Sequence, residues 1–180
     1  MMQFIDTHTH LDGEEFGPDR EEVMDRARKA GAKALFLPAI DLASSRNILS
    51  LCQQYPGFLF PMVGLHPEEV RADYQDVLAA MALLLSSNSG KDGGSSSQDE
   101  AGGILPIAIG EVGLDFYWSR EFEQEQLASF EEQVRWSVET RLPLMIHCRK
   151  AQNELVHILK RYRDNLPGGV FHCFTGNEKE

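Results

Sequence analysis

Six short apolar, β-rich runs alternate with amphipathic stretches along the chain, and this rhythm constrains its fold more than any other feature. The runs are QFIDTH from Gln3, ALFLPAI from Ala34, FLFPMVGLH from Phe58, PIAIGEVGLD from Pro106, LPLMIHC from Leu142 and GGVFHCF from Gly168. Between them, one segment from about Arg120 to Arg141 places Leu127, Phe130, Val134 and Val138 at helical spacing. Its start is acidic, and Arg135 and Arg141 sit late, which complements the helix dipole. A second segment, from about Tyr74 to Leu85, follows Asp73, a suitable N-cap. Nearly continuous apolar strands separated by helices predict a parallel sheet covered on both faces. In such α/β folds, open or barrel, active sites lie at the C-terminal ends of the strands.

Those strand ends are rich in histidine. Five of the six histidines in the chain fall there: His8, His10, His66, His147 and His172. His157 falls mid-helix and reads as a packing or surface residue. Strand side chains alternate with a period of two, so His8 and His10 share a facing, with Asp6 on the same side. An H-x-H pair by itself suits a metal chelate and a hydrogen-bonded core pair equally. The fourth strand end shifts the balance. Glu111 and Asp115, four residues apart, share a face, and Gly113 between them leaves room. A carboxylate among several imidazoles is the ligand set of a hydrolytic transition-metal site. By the same parity, Cys148 and Cys173 face away from the site and are expected to be core thiols. Arg149 shares the facing of His147 and suits either a phosphate clamp or a structural ion pair.

The chain has 180 residues and a net charge of −11, which disfavours nucleic-acid binding by bulk charge but leaves local phosphate contacts open. Three cysteines at no metal-type spacing suit a reducing compartment, cytoplasmic or nuclear. No apolar run spans a bilayer, and the start of the chain has no signal-peptide pattern, so no membrane partner is expected. The Ser/Gly-rich stretch 86–103 reads as a flexible insertion. RKAQNELVHILKRYR, from Arg149 to Arg163, reads as a solvated helix in preference to a DNA-contacting one. Phe116, Tyr117 and Trp118 suit loop packing and base stacking equally.

Taken in order, DTHTHLD, VGLHPE, AIGEVGLDFY, LPLMIHCRKA and FHCFTG resemble the TatD family of metal-dependent deoxyribonucleases. The resemblance covers essentially the whole chain outside the Ser/Gly insertion. It implies a single α/β domain of the (β/α)8 TIM-barrel type. It also implies hydrolysis of DNA phosphodiester bonds, often from the 3′ end, in DNA degradation or repair. Two divalent ions (Mg, Mn or Zn) would serve the reaction, with ligand softness favouring Mn or Zn. On the matching positions, His8 and His10 would hold the first ion, Glu111 would bridge, and His147 and His172 would hold the second. Glu111, His66 and Arg149 would act in catalysis, and His66, Asp115 and Arg149 would contact substrate. The position that a carbamylated lysine takes in amidohydrolase relatives is Glu111 here.

One departure accompanies the match. The family barrel has eight strands, and an aspartate in a TDxP-like context ends the eighth. This sequence stops at TGNEKE after the sixth run, so the expected barrel is truncated. Two other readings follow: a hydrolase of another ester or amide on the same metal core, or a binding module without turnover.

Overall fold

A computed structural model describes residues 2–85 and 104–174. The insertion expected at 86–103 lies outside the described residues.

Six strands form one sheet in chain order: β1 (Phe4–Asp6), β2 (Ala32–Pro38), β3 (Leu59–Val63), β4 (Ala108–Asp115), β5 (Leu144–Arg149) and β6 (Gly169–Phe171). Every neighbouring pair is parallel. Among the described residues, five α-helices separate them: α1 (Arg20–Ala30), α2 (Leu42–Gln54), α3 (Tyr74–Leu85), α4 (Glu123–Thr140) and α5 (Gln152–Tyr162). The expected helices match α3 and α4. Asp73 takes the N-cap position of α3, and its carbonyl accepts the Val77 N–H at 3.3 Å.

Local sequence sets the helix ends. Asp41 and Ser44 form a reciprocal capping box at α2, with the Asp41 carboxylate accepting the Ser44 N–H at 2.6 Å. Gly31 ends α1 at φ 109°, a left-handed conformation that a Cβ would disfavour.

The sheet is coiled. The rings of His8, beyond β1, and His172, beyond β6, stack with centroids 3.6 Å apart, so the first and last strand ends meet. The result is six strands of a barrel, as expected from the sequence. Parity then sorts the side chains of β5. Leu144, Ile146 and Cys148 join the core shared with α3, α4 and α5. Met145 joins Met62 and Ala108 in a separate interior layer, with Phe36 packed against it. His147 continues the Met145 facing.

Strand β4 breaks this rule once. Ile109, Val112 and Leu114 all belong to the helix-side core, which regular alternation forbids for 109 and 112 together. A register irregularity between Ile109 and Val112 resolves it. The extra residue re-aims the strand so that Glu111 and Asp115 both face the interior.

Cys148 is buried, as expected, but Cys173 is exposed. The expectation for Cys173 extended strand parity too far. β6 ends at Phe171, and the chain has turned by Cys173, which sits at φ 44°.

Candidate metal centre

The site is built around one carboxylate. Glu111 is 4% exposed and lies at the crowded centre of the strand ends. Its Oε2 is 3.1 Å from His8 Nε2 and 3.9 Å from His10 Nε2. Its Oε1 is 3.1 Å from His147 Nδ1 and 3.7 Å from His66 Nε2. Burial alone would raise the Glu111 carboxyl, but the imidazoles of His147, His66 and His8 outweigh it and hold it well below the usual carboxylate range. The carboxylate is therefore ionised and offers an oxygen to each side.

These donors fit divalent ions. His8 Nε2 and His10 Nε2 stand 3.2 Å apart, each near the same carboxylate oxygen. Donors bound to one ion at about 2.0–2.1 Å stand about 3–3.4 Å from each other, close to this triangle. A second group, His66, Glu111 and His147, shares the carboxylate, and a third joins Glu68, Asp115 and His147. Within each group the donor atoms lie within 4.8 Å of one another.

His147 faces a carboxylate on both ring nitrogens, Glu111 Oε1 at 3.1 Å and Asp115 Oδ2 at 2.9 Å. Burial lowers its pKa, yet the two carboxylates prevail and raise it. Asp115 is itself fully engaged. It is 3% exposed, its Oδ1 accepts the Tyr117 N–H at 2.8 Å, and its Oδ2 meets His147. These contacts fix the Asp115 carboxylate against the His147 ring and so set the orientation of that ring.

His66 differs. Its Nδ1 accepts the Glu68 N–H at 3.2 Å, which leaves the ring proton on Nε2, directed toward Glu111. In that tautomer Nε2 donates a hydrogen bond and does not ligate. His172 belongs to none of the three donor groups found among the described residues; its ring lies flat on His8. Its pKa is lowered by burial and by His8. His10 is lowered for the same two reasons. His157 is exposed on α5, away from this cluster.

At the rim, the Arg149 guanidinium stacks 3.6 Å over the Tyr117 ring. Phe116 is buried in the core, whereas Tyr117 and Trp118 are exposed. The basic end of α5 reads as a solvated face: Arg161 pairs with Glu131 at 2.9 Å, and Arg163 with Asp164 at 3.3 Å.

Two residues that the sequence reading passed over hold the site loops. Gln133 of α4, 1% exposed, accepts the Leu65 N–H at 2.7 Å and donates to the Leu65 carbonyl at 3.1 Å. Gln126, one heptad earlier, accepts the Asp115 N–H at 2.9 Å. With Ser129 and Ser137 they form a buried polar stripe along α4. Its signal was present: polar residues at 126, 129, 133 and 137 follow helical spacing beside the apolar positions. Glu68 was also passed over, although it lies two residues after His66.

This constellation has counterparts in known proteins. Residues 5–180 match the family described as TatD related DNase. The chain belongs to that family. A 3′-5′ ssDNA/RNA exonuclease TatD from Citrobacter rodentium is 34% identical over 179 residues, which cover 98% of this chain and 60% of the relative. Its counterpart from Edwardsiella piscicida is 30% identical over 176 residues, covering 98% and 62%. The crystal structure of YJJV, a TatD homolog from Escherichia coli K12, superposes with a TM-score of 0.79 at 29% identity, over 97% of this chain and 61% of that one. An uncharacterized amidohydrolase from Saccharomyces cerevisiae shares the fold, with a TM-score of 0.67 at 21% identity over 90% and 52% of the two chains. This TatD-family chain thus spans about 60% of the length of the curated relatives it matches. Among the described residues, no helix is long and apolar enough to cross a membrane.

Proposed function

We propose that this chain is a metal-dependent nuclease that hydrolyses DNA phosphodiester bonds, removing nucleotides from the 3′ end. The observation that carries the reading is the buried Glu111 carboxylate, with two imidazoles close to each of its oxygens. The 3′-5′ ssDNA/RNA exonuclease relatives support the substrate class.

His8, His10 and Glu111 would hold one divalent ion, and Glu111 and His147 a second, with His172 as the further ligand that the family resemblance assigns. Such ions lower the pKa of water and neutralise charge on a phosphoryl group. The protein's own groups do the rest. Asp115 orients His147. His66, with its proton on Nε2, donates to a phosphoryl oxygen. Arg149, held flat by Tyr117, presents its N–H groups to a phosphate at the rim. The proton that His147 shares with two carboxylates must leave when a cation binds, so affinity for the ion rises with pH. The reaction takes place in the cytoplasm or nucleus, as the cysteine usage suggests.

The test is cleavage of 3′-end-containing, 5′-labelled single-stranded DNA with Mg²⁺, Mn²⁺ or Zn²⁺, beside Glu111→Ala. Metal-dependent loss of single nucleotides, absent from the variant, is expected. Cleavage retained by Glu111→Ala would refute the assignment.

A further inference from the structure

A cavity of ≈ 340 Å³ adjoins the metal centre between the 3-10 turn Pro67–Glu69 and the loop after β4. Its walls include Glu68, Arg71, Asp115, Trp118, Phe122 and Gln126. Asp115 connects it to the centre, because the same carboxylate that lines the cavity touches His147 at 2.9 Å. We infer that this cavity receives the unpaired 3′-terminal nucleobase of the substrate, with Trp118 as the stacking wall; the inference rests on the nuclease reading above.

Three observations converge. The volume lies at the small end of ligand pockets, room for one nucleotide and too little for a base pair. Trp118 is 68% exposed and lines the cavity, so its indole is accessible to a ligand that enters there. The neighbouring rings are more fully occupied. Phe116 is buried under Arg120, at 4.7 Å, and Arg149 lies 3.6 Å over Tyr117 and 5.2 Å over Trp118, the more loosely covered and more exposed of the two rings. Trp118 packs edge-on to Tyr117 at 4.8 Å and 85°, so the rim offers a guanidinium and an indole side by side. That pair matches a nucleotide, with its phosphate toward Arg149 and its base against Trp118. A terminal base in a duplex reaches the cavity only by leaving its partner, in keeping with the ssDNA/RNA substrates named for the relatives.

The test pairs a variant with a substrate deletion. Single-stranded oligonucleotides ending in deoxyadenosine, or in an abasic deoxyribose, are given to the wild type, Trp118→Ala and Trp118→Phe. Trp118→Ala should raise KM about tenfold for the base-bearing end and less than about twofold for the abasic end, with Trp118→Phe near wild type. Equal effects on both ends would overturn the inference. A binding arm separates it from the nuclease reading. The chain has two tryptophans, and the other, Trp136, is buried. Saturable quenching of the exposed indole by dAMP, absent from Trp118→Phe, supports the cavity even if no strand is cleaved. No quenching overturns it even if cleavage proceeds.

Discussion

The middle of the sheet and its two edges follow different rules. All eight residues of β4 are buried, including two carboxylates, whereas all three of β6 are exposed. β1 resembles β6, with Phe4 39% and Ile5 54% exposed. The centre therefore carries the packing and the buried carboxylates, whereas the edge strands expose apolar side chains with no covering element among the described residues and contribute His8, His10 and His172 only beyond their C-terminal ends. In the centre each side chain meets several partners, so small changes should have large effects. At the edges the same kind of change should matter little to the folded chain.

Predictions that sharpen this contrast can be ranked by size. Glu111→Ala should reduce cleavage at least about a thousandfold and abolish divalent-ion binding in calorimetry. Gly113→Ala comes next. Gly113 sits at φ 149°, and a Cβ there would lie 1.8 Å from the His147 carbonyl oxygen. The β4–β5 pairing must move, so about 3 kcal/mol or more of stability should be lost. Denaturant unfolding measures it, and a loss under about 1 kcal/mol would show that the centre is more compliant than its packing suggests.

Gln133→Leu should cost about 2–3 kcal/mol, because it strips the Leu65 N–H and carbonyl of their partners inside the core. If the unfolding midpoint is unchanged, water replaces the amide. Val170→Thr on β6 should shift stability by less than about 0.5 kcal/mol, since Val170 is already 57% exposed.

A smaller effect is visible only as a function of pH. The folded pKa of His147 is raised above its ordinary value of 6.5. Its ion pairs therefore stabilise the metal-free chain fully below that value, and the contribution is lost as pH rises through the folded pKa. The stability difference between wild type and His147→Ala should be greatest below pH 6.5 and narrow above it. A difference independent of pH would assign it to packing alone.

Much of this was legible before any tertiary information. Short continuous apolar runs located six strands and helical spacing located the helices α3 and α4, since burial on both faces of a parallel sheet leaves strands apolar throughout. Histidines at the ends of those runs marked the site, because parallel strands deliver their C-terminal ends to one place. Cys173 was misread because parity holds only within a strand. The α4 glutamines went unread because a buried polar stripe is indistinguishable, in sequence, from a solvated one.

The sequence by itself thus determined which residue types gather at which end of the sheet: the imidazoles, Glu111, Asp115 and Arg149. Periodicity is a local property, and a parallel α/β order fixes the rest. Only the tertiary structure decided how they divide the work. The irregularity in β4 turned Glu111 inward, Asp115 spent its oxygens on His147 and Tyr117, the Glu68 amide set the tautomer of His66, and Trp118 was left mostly exposed beside a cavity. Each of these depends on contacts between residues distant in the chain or on a single backbone shift, and neither has a period that a sequence can display.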